Sequence, residues 1–166
     1  MSGGENGGSR VLVALRVHAT PERAFEAFTD EIGRWWQPNS LFPFTDRSDG
    51  TLAFEPGPDG CLVETAPGGH RFVVGNVRAW DPPARLVVSW RQANFASDVE
   101  TELHVRFDDV GDGQTRVTVE HFGWDALPAE HAARHGFPLD VFQLRFAEWW
   151  RRLLADLVPF GTRDSD

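Results

Sequence analysis

The strongest constraint on the fold is a series of six β-rich runs between residues 50 and 122, joined in pairs by short turn sequences. The pairs are TLAFE with CLVETA, RFVVGNVRAW with RLVVSW, and VETELHVRF with QTRVTVEHF. Their linkers, PGPDG, DPPA and DDVGDG, consist largely of turn-forming residues. Three consecutive hairpins predict a meandering antiparallel sheet. An earlier β-rich run, VLVALRVHA, adds a first strand and brings the total to seven.

Apolar and polar residues alternate within these runs, which gives each strand one apolar and one polar face. In the run VETELHVRF, the residues Val99, Thr101, Leu103, Val105 and Phe107 oppose Glu100, Glu102, His104 and Arg106. The other apolar sets are Leu86, Val88 and Trp90 (opposite Ser89 and Arg91), Val117, Val119 and His121, and Val73, Gly75, Val77 and Ala79. We therefore expect a sheet that is solvated on one face and covered on the other.

Helices are predicted to cover the apolar face of this sheet. In residues 138–158 the large apolar side chains fall on one stripe, as in an amphipathic helix. The stripe consists of Leu139, Phe142, Phe146, Trp149, Trp150, Leu153 and Leu157. Near the start of the chain, Thr20 is a suitable N-cap and Pro21 suits the first helical position, so a short helix follows the first strand. The run TDEIGRWW predicts a second short helix. The fold class is α+β.

Length and charge limit the function. The 166 residues fit one domain, predicted over residues 10–160, with a disordered leader (1–9) and tail (161–166). The net charge of −9 disfavours binding to nucleic acid or to anionic membranes. No apolar run approaches the roughly 20 residues needed to cross a membrane, so no membrane insertion is expected. With Cys61 as the single cysteine, no internal disulfide can form, which is consistent with a cytoplasmic protein.

Several segments together resemble a known group of proteins. They are ATPERAFEAFTDEIGRWW, GNVRAWDPPARLVVSW, TRVTVEHFGW and the tryptophan-bearing final helix. In order and spacing they are similar to the heat-shock protein 90 ATPase activator-like group of the START-like (SRPBCC, Bet v allergen-like) superfamily. The resemblance implies a helix-grip fold, in which a curved seven-stranded antiparallel sheet wraps around a long C-terminal helix, with two short helices after strand 1. It also implies an internal cavity for apolar or amphipathic ligands, but no single activity.

The stretch GRWWQPNSLFPF carries much aromatic surface on a segment that its prolines exclude from a long helix. Two interpretations arise: the segment plugs a core, or it guards a cavity. In the implied fold it runs past one end of the cavity. We interpret it as a gate, with Trp35 and Trp36 closing the second helix and Leu41, Phe42 and Phe44 at the mouth.

Inward-facing residues supply the rest of the predicted site. His121 would be a polar anchor or an acid–base group, or a histidine bonded to backbone. Gly75 would leave room for a ligand, or mark a close approach of backbones. Cys61 is interpreted as a buried small hydrophobe, with a thiol facing the cavity as the alternative. The predicted ligand-binding residues are Trp35, Trp36, Phe42, Phe44, Gly75, Trp90, His121, Phe142, Gln143, Phe146 and Trp150, with Thr101 as a further polar anchor.

The first functional interpretation is a protein that binds a small apolar or amphipathic molecule without metal or other cofactor. One alternative is a cofactor-independent enzyme, similar to a cyclase, aromatase or hydrolase, that would pair His121 with a carboxylate. Another is a module that modulates a chaperone ATPase, and a homodimer is left open. His131 and His135 have the spacing of zinc ligands, but the residues between them lack the glutamate of a metalloprotease helix, so an exposed pair is expected. No catalytic residue is assigned.

Overall fold

The computed structural model describes residues 10–36, 50–95, 99–127, 130–131, 134 and 136–161. Its strands are β1 (Arg10–Val17), β2 (Thr51–Glu55), β3 (Cys61–Thr65), β4 (Arg71–Asp81), β5 (Arg85–Trp90), β6 (Thr101–Gly111) and β7 (Gln114–Phe122). Its helices are α1 (Pro21–Thr29), α2 (Ile32–Trp35) and α3 (Leu139–Gly161), and a 3-10 turn lies at Trp124–Ala126. The predicted α+β class and element order are confirmed.

All seven strands form one antiparallel sheet in the order β1-β7-β6-β5-β4-β3-β2. Six of them follow one another as the predicted meander. The exception is β1, which pairs with β7, so that Val11 lies opposite His121 and Val17 lies opposite Thr115. This pairing brings the two ends of the domain together beside α3, which packs on β1 and on both short helices.

The core lies between the sheet and α3. The predicted apolar stripe of the helix is confirmed, because Phe142, Phe146 and Trp150 are fully buried. The opposite side of the helix faces water, with Leu144 55% exposed. Burying each large side chain contributes about 1.5–3 kcal/mol, so this stripe holds the helix on the sheet.

The outer face of the sheet is polar, as the alternation predicts. On β7, Glu120 lies between its two neighbouring strands and accepts hydrogen bonds from Arg10 on β1 (3.0 Å) and Arg106 on β6 (2.6 Å). Both arginines stay partly exposed to water, so these ion pairs are expected to contribute little stability.

Local signals set the start of α1. The side chain of Thr20 accepts a hydrogen bond from the backbone N–H of Arg23 at 3.2 Å, and Pro21 occupies the first turn. The guanidinium of Arg23 also donates two hydrogen bonds to Glu31, at 2.6 and 3.0 Å, which fixes α1 against the residue that precedes α2. The predicted cap is confirmed.

Strand β4 departs from simple alternation. Leu62 pairs with Gly75 and Val63 pairs with Val73, so Val74 is an extra residue in a β-bulge. Val74 is therefore fully buried and Val73 is 43% exposed. The expectation that Val73 shares the inward face of Gly75 is wrong, because one inserted residue reverses the direction of the side chains before it.

Ser89 on β5 is another exception, because the alternation places it on the solvated face. Ser89 is 2% exposed, and its hydroxyl accepts a hydrogen bond from the backbone N–H of Asn76 at 2.8 Å. A Cβ atom on Gly75 would overlap the carbonyl oxygen of Ser89. The close approach of β4 and β5 thus accounts for this glycine, and contact between Gly75 and a ligand stays a prediction.

We expect Gly75→Ala to lower the free energy of unfolding by about 1–3 kcal/mol, because the methyl group forces β4 away from β5. Gly68→Ala is the matched control, since a Cβ atom at Gly68 meets no other atom within 4 Å. Urea unfolding monitored by tryptophan fluorescence would measure both. Equal stability of the two variants would contradict the packing described for Gly75.

Candidate ligand-binding interior

One end of the core is a cluster of aromatic side chains, which we call the aromatic interior. It consists of Trp36, Trp90, Trp124, Phe142, Phe146, Trp149 and Trp150 together with His121. The rings are contributed by the end of α2, β5, β7, the 3-10 turn and α3. Their centroids lie between 4.9 and 6.1 Å from at least one neighbour, mostly in tilted or edge-to-face contact. Such ring contacts stabilise the fold by more than the burial of apolar area alone would.

His121 lies at the centre of this cluster. Its ring centroid is 5.2 Å from Trp90 and 5.1 Å from Trp124, and its side chain is fully buried. β7 places it there because it continues the inward register of Val117 and Val119, both fully buried. The predicted inward direction of His121 is confirmed.

The hydrogen bonds of His121 define its tautomer. Its Nε2 atom lies 2.7 Å from Oγ1 of Thr101, and this hydroxyl donates to the backbone carbonyl of Trp90 at 2.9 Å. Since a hydroxyl has one proton, it must accept the hydrogen bond from Nε2–H. The Nδ1 atom is therefore a lone-pair acceptor, and it has no partner among the described residues.

Burial keeps this imidazole neutral. Desolvation lowers the pKa of His121 to about 3, with a smaller contribution from the nearby His104. At neutral pH the residue is therefore uncharged and a weak base. It can accept a hydrogen bond, but it is poorly suited to take a proton from a substrate.

An enzyme that uses His121 in acid–base catalysis would also need a carboxylate to pair with it. The buried polar residues of the described chain are Thr29, Ser89, Gln92, Thr101, Thr115, Thr118, His121 and Arg134. No carboxylate is among them. Within the described residues, the geometry thus supports His121 as a hydrogen-bonding group rather than as half of a catalytic pair.

Other polar atoms of the interior also have no partner among the described residues. They are Nε1 of Trp124 and Nε1 of Trp150, and Nε2 of Gln143 on α3 is also buried without a partner. The indole N–H groups can only donate, and an amide nitrogen also donates. Because most buried polar groups in proteins are hydrogen-bonded, a concentration of unpaired ones in one region is informative.

The structure brings together most of the residues predicted to contact a ligand. Trp36, Trp90, His121, Phe142, Phe146 and Trp150 share the aromatic interior, with the half-buried Gln143 beside them on α3. Phe42 and Phe44, assigned to the gate together with Leu41, lie outside the described residues. Contact of these side chains with a ligand stays a prediction.

The two adjacent tryptophans of the predicted gate differ in their surroundings. Trp35 is fully buried, donates from Nε1 to the carbonyl of Ala27 at 2.9 Å, and packs on Phe28. Trp36 is only partly buried and contacts Trp149 and Trp150 of α3. Trp35 therefore anchors α2 in the core, while Trp36 lies at the edge of the aromatic interior.

Cys61 is outside this interior. It is half-buried at the start of β3, and its thiol donates to a carboxylate oxygen of Glu55 at 3.3 Å. Burial, followed by the neighbouring Glu55, raises the pKa of the thiol. The expectation of a buried small hydrophobe is wrong, because Cys61 adjoins the β2–β3 turn.

Two residues of this region were not among the predicted site residues. Trp124 follows the end of β7, where Gly123 adopts a positive φ of 103° that turns the chain inward. Arg134 is 4% exposed and donates to the carbonyls of Leu127 (2.6 Å) and Phe137 (2.7 Å). The glycine before Trp124 was a usable signal, but an arginine inside HAARH is typical of a surface segment.

The HAARH segment was expected to be an exposed pair of histidines. His131 is half-buried, with its ring 5.8 Å from that of Phe95. His135 lies outside the described residues. Among the residues that the structure describes, no three histidine, cysteine or acidic side chains are grouped to hold a metal ion.

No helix in the described part of the chain has the length and hydropathy to span a membrane.

A surface cleft of about 510 Å³ lies between α1 and the β4–β5 turn. Its lining consists of Thr20, Glu22, Arg23, Phe25, Glu26, Thr29, Asp30, Trp80 and Pro82. Three of these residues are acidic, and apolar ligands gain little in such a solvated wall. The aromatic interior is the better candidate site.

A seven-stranded antiparallel sheet closed on a long C-terminal helix, with two short helices after the first strand, defines a START-like helix-grip domain. Residues 18–158 match the family described as Activator of Hsp90 ATPase homolog 1-like protein (AHSA1), and the chain belongs to this family. The resemblance seen in the sequence is confirmed. No curated protein is similar enough in sequence to match the chain.

Solved structures share the fold. MLL2253 from Mesorhizobium loti is 18% identical, with 93% of this chain and 97% of that protein covered and a TM-score of 0.64. PFC0360w, an HSP90 activator from Plasmodium falciparum, is 16% identical, with coverages of 90% and 93% and a TM-score of 0.62. The anthrahydroquino-gama-pyrone synthase Txn09, solved as a complex, is 28% identical, with coverages of 91% and 96% and a TM-score of 0.55.

Proposed function

We propose that this protein binds a small apolar or amphipathic molecule between the sheet and α3, in the aromatic interior. The apolar part of the ligand would contact the tryptophan and phenylalanine rings, whose burial supplies most of the affinity. No nucleic acid, membrane insertion or cofactor is part of this proposal. We also propose a cytoplasmic location. The net charge of −9 is consistent with a protein that binds neither nucleic acid nor anionic membranes.

The observation that carries the proposal is the neutral His121 inside an aromatic shell. A buried histidine that serves only the fold would normally use both ring nitrogens in hydrogen bonds. Here Nε2 is bonded to Thr101, while Nδ1 has no partner among the described residues. A ligand with one donor group and an apolar body would complete that hydrogen bond.

The test uses N-phenyl-1-naphthylamine, an apolar fluorescent probe with one N–H donor. We expect about one probe molecule per chain, and a roughly 10-fold weaker affinity in His121→Phe, because a buried hydrogen bond and the desolvation of its partner together contribute about 1–2 kcal/mol. His104→Phe is the control, since His104 lies on the polar face of β6 and bonds to Glu102.

Fluorescence titration with circular dichroism on each variant separates binding from folding. A wild-type protein that binds no probe would argue against ligand binding. Equal affinities in wild type and His121→Phe would assign His121 to the fold alone.

A second candidate is a synthase-type enzyme, because the chain is 28% identical to Txn09 over 91% of its length. Since His121 is neutral and no described carboxylate is buried, such an enzyme would act chiefly by orienting its substrate. Mass spectrometry after incubation with an anthrahydroquinone that carries a 1,3-diketone side chain would test it: loss of one water to give a γ-pyrone product would support catalysis, and unchanged substrate would oppose it. The chaperone-modulating alternative and homodimer formation stay predictions.

A further inference from the structure

The surface cleft between α1 and the β4–β5 turn combines aromatic and acidic side chains around a volume of about 510 Å³. Its lining includes the rings of Phe25 and Trp80 and the carboxylates of Glu22, Glu26 and Asp30. We infer that this cleft binds a small organic cation whose charged nitrogen carries apolar substituents, such as a quaternary ammonium. The inference is independent of the proposed function, because none of these residues belongs to the aromatic interior.

The cleft carries a surplus of negative charge. Arg23, the basic residue of its lining, donates two hydrogen bonds to Glu31 at 2.6 and 3.0 Å, and Glu31 lies outside the lining. The charges of that pair cancel, so the three lining carboxylates are in excess. Arg23 also donates to Glu26 at 2.9 Å, whereas Glu22 and Asp30 have no ion pair among the described residues. Such a concentration of one sign of charge in a cleft attracts the opposite charge.

The three carboxylates stand where they destabilise the fold. Glu22, Glu26 and Asp30 follow one another at i,i+4 spacing along one exposed face of α1 and its C-cap. Like charges at this spacing repel each other. As the C-cap, Asp30 also faces the negative end of the helix dipole, and the last turn of α1 has no basic residue. A bound cation would relieve both effects, so a ligand explains this placement better than the fold does.

The aromatic part of the cleft is held in place by packing. Trp80 is half-buried at the end of β4, and its ring meets Phe25 at 5.2 Å and Phe54 at 6.2 Å, both edge to face. Because Trp80 also lines the cleft, part of its side chain is accessible to a ligand. Tryptophan is the best aromatic partner for a cation, and aromatic side chains are the usual means of recognising quaternary ammonium groups.

The expected cation is organic rather than metallic. In the described part of the chain, no three acidic, histidine or cysteine side chains converge closely enough to hold a metal ion. The cleft volume of about 510 Å³ instead lies within the range of small-molecule sites. A phosphate attached to the cation, as in a choline lipid headgroup, would be repelled by the same carboxylates. The ligand is therefore a free cation.

Choline and 3,3-dimethylbutan-1-ol form a matched pair of probes, because they share a shape and differ in a charged nitrogen against a neutral carbon. Isothermal titration calorimetry of the full chain should show choline binding at least about 10-fold more tightly. Phosphocholine should bind more weakly than choline. Equal affinities for choline and the alcohol, or no binding of choline, would overturn the inference. Tighter binding of phosphocholine would overturn the assignment to a free cation.

Variants assign the binding to the cleft. Glu22→Gln and Asp30→Asn each remove one charge, so each should weaken choline binding several-fold. Asp30→Asn should at the same time leave the unfolding temperature unchanged or raise it, because an acid is lost from the C-terminal end of α1. Glu148→Gln is the control, since it makes the same change on the exposed face of α3, outside the lining. Wild-type affinity in both cleft variants, or equal weakening in the control, would contradict the assignment.

Proton NMR gives a readout that does not depend on the stability of the variants. On binding to the wild-type protein, the N-methyl protons of choline should shift upfield, because the ring current of Trp80 shields protons above its face. The shift should be lost in Trp80→Leu. Bound choline without an upfield shift in the wild-type protein would show that the cation does not contact this ring, and the inference would fail.

Discussion

Lowering the pH from about 7.5 to about 5 is expected to reduce the free energy of unfolding by about 2 kcal/mol through His121 alone. In the folded chain the pKa of His121 is lowered to about 3, whereas the unfolded residue titrates at the ordinary value of 6.5. Between these pH values the unfolded state binds the proton and the native state does not. The stabilisation by the neutral ring is therefore complete above pH 6.5, decreases as the pH falls, and is lost near pH 3.

Urea unfolding at several pH values measures this effect. His121→Phe cannot titrate, so its stability should fall less steeply between about pH 7.5 and about pH 5, by about 2 kcal/mol in total. The same pH dependence in wild type and His121→Phe would show that the histidine is not held neutral by the fold.

Trp35→Ala is expected to lower the free energy of unfolding by about 3–5 kcal/mol, the usual cost of removing a fully buried tryptophan from a core. The change removes the packing on Phe28 and the hydrogen bond from Nε1 to Ala27. The carbonyl of Ala27 would also lose this donor. Thermal and urea denaturation would both report the loss.

Trp36→Ala is the matched comparison, since it makes the same change at the next residue. Trp36 is only partly buried, so we expect a smaller loss of stability, about 1–3 kcal/mol, together with weaker binding of aromatic probes. Equal losses of stability in the two variants would contradict the different positions of the two tryptophans. They would then both be packing residues of one core plug.

Much of the fold could be predicted because the alternation of apolar and polar residues shows which face of each strand is buried. In β6 the predicted inward residues Leu103, Val105 and Phe107 are buried, and the intervening Arg106 is exposed. The stripe on α3 was equally clear, since neither a strand nor a loop repeats its apolar residues with a period of 3.6 over about twenty residues. Both patterns repeat often enough that single exceptions do not obscure them.

The exceptions depend on contacts between distant residues. One extra residue at Val74 reverses the face of Val73, and Ser89 is buried where Gly75 approaches it closely. No feature of a single strand shows either effect. Arg134 is buried because two backbone carbonyls surround its guanidinium, an arrangement created by the fold of a loop. Local sequence reports propensity, whereas these positions are set by tertiary structure.

The candidate site was predictable in outline only. Periodicity indicated that His121 and Phe146 face the helix–sheet interface, and the structure places both there. The sequence could not show which of Trp35 and Trp36 is fully buried, because adjacent residues in a short helix differ only in the direction of their side chains. Nor could it indicate the hydrogen bond with Thr101 that determines the tautomer of His121, since twenty residues separate the two side chains.

The pairing of β1 with β7 also bears on the folding pathway. Arg10 and Glu120, which meet across these strands, are 110 residues apart in the chain, whereas the other strand pairs join neighbours in sequence. The entropy lost on closing a loop grows with the logarithm of its length, by about 0.6 kcal/mol for each doubling. Docking β1 is thus the costliest closure in the sheet, and its native contacts with β7 and α3 are those that offset this cost. Pairing of β1 is therefore the step of sheet formation with the largest loss of chain entropy.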